Sequence, residues 1–391
     1  MINRNHLALL GVVVLIALAG CAAPTSPGEQ ESNETTELPK EWPDRKVLDE
    51  DLREGDSKDN LEYRNATAGD EVQFSPKEMN DSTLPSTEEE REMVRYGREL
   101  MRNTSQAMPE HVGNELSCAS CHGGTDPRYG MTQGMVGQDI DMIPLVGTHA
   151  DLPEWTSRRD RMRDSRQRLM GCFERSMNSQ AAPEGTPAYD SREMQAMEAY
   201  MQWLSEGVPV KAQPYWTHLN KPEGDEKKPI ESVNPVRGAE LYLENCASCH
   251  GDNGQGIEGS SPALWGPDSF NDGAGMSRMY TSASFIRESM PYGAPHTVSD
   301  WDDVQDIAGY MNGHDRPAFV EKEQDFPTTG PPEEGIYYPR TQEELGYDMN
   351  PMQKKLELAG IPTGTESLNE SDIPDDVEYY DQPLRNESID D

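Results

Sequence analysis

Phenylalanine is scarce, with six in 391 residues, and so is positive charge, with 34 Lys and Arg against 72 Asp and Glu. The net charge of −38 excludes a nucleic-acid binder that works by bulk electrostatics. Past residue 19 there is no long apolar run, which excludes a polytopic membrane protein. Hydrophobic residues make up only 34% of the chain and 30 prolines interrupt it, so there is too little apolar mass for large all-protein cores. Either much of the chain is unpacked or a buried prosthetic group fills the centre of each domain.

The one apolar run, Leu7 to Ala19, follows Arg4 and ends in Leu18-Ala19-Gly20-Cys21. It is short for a spanning helix and reads as a lipoprotein signal peptide over residues 1–20, with Cys21 as the lipidated first residue. The alternative is an uncleaved anchor helix. Both place the body outside the cytoplasm, on the periplasmic or cell-surface side, held to the membrane by its anchor alone. Five cysteines then remain, Cys118, Cys121, Cys172, Cys246 and Cys249, an odd number for an oxidising compartment.

Residues 21–86 carry 17 acids against seven bases and read as a solvated tether. Order is expected to begin at Thr87, whose spacing to Glu90 is that of a capping box. A repeat follows. Gly97-Arg98-Glu99-Leu100 precedes Cys118-Ala119-Ser120-Cys121-His122, and Gly238-Ala239-Glu240-Leu241 precedes Cys246-Ala247-Ser248-Cys249-His250. Each copy closes on an amphipathic segment with a central tyrosine, Tyr200 in the first and Tyr310 in the second. The glycine of each opening helix is expected to let the closing helix cross at close range. The predicted architecture is mainly α, with two class I-like cytochrome c domains in tandem at 87–210 and 232–316. A linker spans 211–231, and an acidic, proline-rich tail at 317–391 wraps the body, its last twenty residues free.

Cys-x-x-Cys-His is the attachment signature of c-type haem: two thiols add to the two vinyl groups, and the next imidazole reaches the iron. Two copies predict two covalently bound haem c groups, on Cys118, Cys121 and His122 and on Cys246, Cys249 and His250. Haem also supplies the apolar mass that the composition lacks. For the far side of the second haem the pattern favours Met290, which Pro291 holds in extended backbone; Met276, Met279 and Met311 are rivals. Cys172 lies fifty residues after His122, where the first haem needs its second ligand, and is expected to be a thiolate on that iron. A free thiol with Met170 or Met177 as ligand, or an intermolecular disulfide, is the alternative.

Residues 158–175 hold seven arginines and no lysine. Guanidinium groups suit multidentate binding of oxyanions. Steps of three and four would put Arg158, Arg161, Arg168, Cys172 and Ser176 on one helical stripe, and a small dianion beside a thiol suggests a sulfur oxyanion. His111, His149, His218, His296 and His314 form no cluster.

From about Thr87 to Pro327 the sequence resembles the dihaem thiosulfate dehydrogenases of the TsdA type, with a first domain similar to SoxA. The resemblance rests on both Cys-Ala-Ser-Cys-His motifs, on Gly171-Cys172-Phe173-Glu174-Arg175-Ser176-Met177-Asn178, on Met290-Pro291 and on the segment from Arg316 to Pro327. It implies that Arg158, Arg168 and Ser176 hold substrate around the ligating Cys172. Some members carry a lysine beside the methionine; here that place is Ser289. The implied reaction joins two thiosulfate ions to tetrathionate, or reverses this. Electrons would pass from the first haem to the second and then to an external one-electron carrier such as a small cytochrome. A non-catalytic dihaem electron carrier, or a SoxA-like subunit acting on carrier-bound sulfur, would share the haem motifs.

Overall fold

The computed structural model describes residues 77–123, 135–139, 141–211, 215–217, 219–257 and 261–381. Cys21, the signal segment, most of the tether and His218 lie outside them. Among the described residues the fold is mainly α-helical with one two-stranded sheet. No helix among these residues is long and apolar enough to cross a membrane.

In the first half, α1 (Glu88–Arg102) begins where Thr87 accepts a hydrogen bond from the Glu90 N–H, with three glutamates in the first turn to match the helix dipole. It buries Val94, Gly97, Leu100 and Met101. The attachment helix α2 (Ala119–His122) follows. Next come the paired strands β1 (Glu154–Thr156) and β2 (Arg161–Arg163), then α3 (Ser165–Arg175) and α4 (Arg192–Leu204). The second half repeats the plan with α5 (Pro235–Asn245), the attachment helix α6 (Ala247–His250), α7 (Met279–Ser289) and α8 (Trp301–Asn312).

The helix crossings explain the repeated glycine. A Cβ on Gly97 would lie 2.0 Å from the Ala196 carbonyl oxygen of α4, and one on Gly238 would lie 2.0 Å from the Asp306 carbonyl oxygen of α8. Tyr200 and Tyr310 stand beside these contacts and are fully buried. No side chain larger than hydrogen fits at either crossing.

The loop after the second attachment motif reaches into the first half: Phe270 and Ala274 belong to the core formed by α1, α3 and α4. Asn271 fixes the seam, its N–H donating to the Arg175 carbonyl at 3.2 Å and its side chain to the Glu174 carbonyl at 2.8 Å. The stretch before α5 is also packed, with Trp216 buried and its indole N–H on the Val146 carbonyl at 2.9 Å.

From Pro317 the chain wraps the body. It forms two short helices that the sequence pattern did not announce, α9 (Pro339–Leu345) and α10 (Pro351–Leu358). Leu356 of α10 fills the space over Gly313. The buried Lys355 donates to the carbonyls of Glu231, Val233 and Tyr380 at 2.8, 2.7 and 2.7 Å. This corrects the expectation of a free end for residues 372–381. Residues as far as 381 are docked, because one ammonium group satisfies three carbonyls from two segments; 382–391 lie outside the described residues.

Candidate functional site

The two attachment motifs are built alike. The His122 ring donates from Nδ1 to the Ile143 carbonyl at 2.6 Å, and the His250 ring to the Pro262 carbonyl at 2.9 Å. Each hydrogen bond fixes the tautomer and leaves Nε2 as the lone-pair donor that a haem iron requires. Burial lowers the His250 pKa, which keeps that ring neutral. Burial pushes Cys118 up to about 12, Cys121 up to about 11 and Cys246 up to about 12. Such surroundings disfavour thiolates and suit sulfurs whose charge is removed by thioether formation. The residues therefore fit haem c at both motifs.

Met290 ends α7 with φ −118° and ψ 148°, extended as the following proline demands, and is half-buried. Ser289 beside it is buried within α7.

The arginine-rich stretch is not one continuous helix. Asp164 caps α3, accepting from the Gln167 N–H while the Gln167 side chain accepts from the Asp164 N–H, so the helix cannot start earlier. Residues 154–163 instead form a hairpin in which Glu154 faces Arg163, Trp155 faces Met162 and Thr156 faces Arg161. Asp160 turns it, with φ 45°. The expected stripe from Arg158 to Ser176 is thus a hairpin carrying Arg158 and Arg161, set against a helix carrying Arg168 and Cys172.

Hairpin and helix together enclose a cavity of about 310 Å³ lined by Arg158, Arg159, Arg161, Arg163, Arg168 and Arg175, with Gly171 and Glu174 among the other wall residues. Cys172 sits on the same helix, and Arg168 Nη1 donates to its Sγ at 3.1 Å. The charge of Cys172 raises the Arg168 pKa further above its ordinary value. A charge on Cys172 adds to burial in raising the pKa of Cys118 and Cys121. Ser176 caps the C-terminal end of α3 and its carbonyl accepts from Asn114 at 2.8 Å; it is not among the cavity walls.

Ion pairing divides the seven arginines. Arg159 pairs with Glu321 and Asp325, Arg163 with Glu154, Arg166 with Glu198, and Arg175 with Glu174 and Asp325. Among the described residues, Arg158, Arg161 and Arg168 have no carboxylate partner at ion-pair distance. The segment after Pro317 is therefore part of the site, which sequence reasoning missed. Asp325, with its side chain wholly buried, accepts from Arg175 at 2.6 Å and from the Tyr338 hydroxyl at 2.9 Å. The Phe326 N–H donates to the Arg158 carbonyl at 2.8 Å, and its ring lies 5.6 Å from that guanidinium. The acids within Arg316–Pro327 were the available signal.

A thiol pair and an oriented imidazole in each of two matched helical domains define a c-type cytochrome, and cytochrome c domains of this kind hold haem covalently. The SoxA/TsdA cytochrome c domain family matches residues 109–210, and the family of cytochrome c oxidase, cbb3-type, subunit III matches 233–311. A thiosulfate dehydrogenase from Allochromatium vinosum is 38% identical over 241 residues, covering 59% of this chain and 80% of that protein. One from Stutzerimonas stutzeri is 35% identical over 268 residues, covering 67% and 79%. Among solved structures, the as-isolated thiosulfate dehydrogenase TsdBA of Marichromatium purpuratum aligns with a TM-score of 0.52 at 33% identity, over 63% of this chain. The chain spans half of that protein's length. The chain belongs to the thiosulfate dehydrogenase family.

Proposed function

We propose that the protein oxidises two thiosulfate ions to tetrathionate, or runs the reverse reduction, at Cys172, which is carried by the helix that walls the arginine cavity without itself lining it. The supporting observation is the division of the arginines: three guanidinium groups without carboxylate partners line one cavity with a thiol on its helix.

Each Cys-x-x-Cys-His would hold one haem c, two in all, with His122 and Cys172 as iron ligands for the first and His250 and Met290 for the second. When bound, haem c supplies one-electron redox capacity near each motif. The protein's own task is to bring two dianions together. Two unit charges 4 Å apart repel by about 4 kcal/mol at an effective dielectric of about 20, and each thiosulfate carries two. Arg158, Arg161 and Arg168 offset that repulsion without first breaking an ion pair.

Arg168 donates to Cys172 Sγ at 3.1 Å, which orients the sulfur and sets a positive charge beside it. The thiolate bonds to the outer sulfur of one thiosulfate, and the pair loses two electrons to the external carrier, singly. The adduct is Cys–S–S–SO₃⁻. The outer sulfur of a second thiosulfate attacks the sulfur bonded to Cys172, forms tetrathionate and returns the thiolate, so charge and atoms balance. Ser176 would contribute a hydrogen bond through its hydroxyl. Cys21 would carry the lipid anchor of an exported protein.

Stopped-flow absorption tests this. Thiosulfate should reduce the haems of the wild-type protein and yield half an equivalent of tetrathionate. Cys172→Gly should keep both haems and lose turnover. A wild-type protein inert to both anions would overturn the proposal, and a low-spin resonance spectrum without a thiolate-ligated haem would overturn the ligand assignment.

A further inference from the structure

Arg158 from the hairpin and Arg175 from the last turn of α3 both line the cavity. Arg278, which caps α7 in the second domain, is not a wall residue, but its guanidinium lies over Gly275, two residues along the same loop from the Gly273 carbonyl that Arg158 reaches. The backbone ties them together: Arg158 Nη1 reaches the Gly273 carbonyl at 3.4 Å, and the Asn271 N–H donates to the Arg175 carbonyl at 3.2 Å. Asn271, Gly273 and Arg278 lie on one loop.

The acids nearby are already engaged. Asp325 serves Arg175, Arg159 and the Tyr338 hydroxyl. Glu334 is 3.9 Å from Arg278 Nη1, but it is held by Lys221 at 2.5 Å and by the Thr281 N–H at 2.9 Å. Among the described residues, Glu174 pairs with Arg175. The Nε–H groups of Arg175 and Arg278 are both buried and have no hydrogen-bond partner among the described residues. Buried donors of this kind nearly always find an acceptor. Burial first, then repulsion from Arg278 and Arg175, pushes the Arg158 guanidinium down to about 9. A negative group at this point would relieve both the orphan donors and the repulsion.

We infer that Arg158, Arg175 and Arg278 form a shared oxyanion site at the seam of the two cytochrome domains, so that the second domain supplies a cation to the chemistry of the first. Its ligand is a planar or tetrahedral group of the –COO⁻ or –SO₃⁻ class. Two sources carry that chemistry, the sulfonate end of the substrate and a haem carboxylate. Only the first rests on the thiosulfate function proposed above.

The test uses haem-loaded wild type, Arg278→Gln and Arg278→Lys, with ascorbate reduction and inorganic sulfate as the probe. Three quantities are measured: sulfate affinity by calorimetry, KM and kcat for thiosulfate, and the haem midpoint potentials without thiosulfate. If the site holds sulfonate, Arg278→Gln weakens sulfate and raises KM by about 10- to 100-fold, as loss of one charge-assisted hydrogen bond does, with potentials unchanged. If it holds a haem carboxylate, sulfate affinity is unchanged and one potential moves by about 59 mV, a tenfold change for one electron. Arg278→Lys, which keeps charge but loses the fork, should fall between and serves if the Gln variant unfolds. Folded variants that change none of the three quantities would overturn the inference. A wild-type protein that ignores thiosulfate yet loses sulfate on Arg278→Gln would sink the proposed reaction and leave the site standing.

Discussion

Removing the Asp325 carboxylate should release the C-terminal wrap from the arginine cavity. Its side chain is fully buried and accepts from Arg175 at 2.6 Å and from Tyr338 at 2.9 Å, with Arg159 at 3.4 Å. Breaking one partner of a buried pair costs about 3–5 kcal/mol, because the other charge stays behind uncompensated. Arg175 would keep Glu174 at 3.0 Å and its stacking on Phe319 at 4.3 Å, so the expected loss for Asp325→Ala is at the lower end, about 3 kcal/mol. Against a total of about 5–15 kcal/mol this is large. At about 2–4 °C per kcal/mol it corresponds to a fall of about 6–12 °C in the thermal midpoint, read by circular dichroism with the haem spectrum as a check on folding. Replacing both charges, Arg175→Met with Asp325→Leu, should recover part of the loss, since no buried charge stays behind at Arg175, while Arg159 and the Tyr338 hydroxyl still lose their acceptor. The reasoning fails if Asp325→Ala melts within about 2 °C of wild type, or if the double variant is worse than the two single changes added together.

Gly171 lines the cavity, and a Cβ there meets nothing within 4 Å. Gly171→Leu should therefore leave the helix intact, or steadier by about 1 kcal/mol, while raising the KM for thiosulfate at least tenfold in steady-state assays; unchanged kinetics would place the substrate elsewhere. Arg168→Gln removes the donor on Cys172 and should lower kcat/KM by about 10- to 100-fold, whereas Arg166→Gln, which breaks only a pair with Glu198, should stay within about threefold. Equal losses would make the effect one of general charge. Gly97→Ala and Gly238→Ala should both lower the thermal midpoint, because each added methyl meets a carbonyl oxygen at 2.0 Å; a harmless change at either would break the equivalence of the two crossings. Lys355→Met leaves three carbonyls without their donor and should make the segment near Tyr380 sensitive to limited proteolysis, with protection equal to wild type counting against the role.

Local chemistry made part of this structure readable from the sequence. Thr87 and Glu90 marked a helix start because a cap is decided within four residues, and Gly97 and Gly238 marked crossings because only glycine tolerates them. The hairpin was not readable. Its strands are three residues long, and Glu154-Trp155-Thr156 facing Arg161-Met162-Arg163 buries no apolar face, so the helical spacing of the arginines gave the stronger signal. Nor could local pattern show that Asp325 neutralises Arg175 from 150 positions away, or that Arg158 reaches the Gly273 carbonyl of the second domain. Such pairings belong to tertiary structure, and the sequence showed the tail only as an acidic, proline-rich segment that wraps the body.

The clasp between Arg175 and Asp325 also sets an order of assembly. A chain made from its N-terminus presents both Cys-x-x-Cys-His motifs and Cys172 well before Asp325 exists. Closing a loop of that length adds an entropy cost that grows only slowly with length, so the delay is one of sequence rather than of energy. In the interval Arg159 and Arg175, two of the arginines lining the cavity, lack their buried counter-charge. A segment made after the second domain thus finishes the first, and a chain ending after Asn312 would hold every attachment cysteine around an unfinished arginine site.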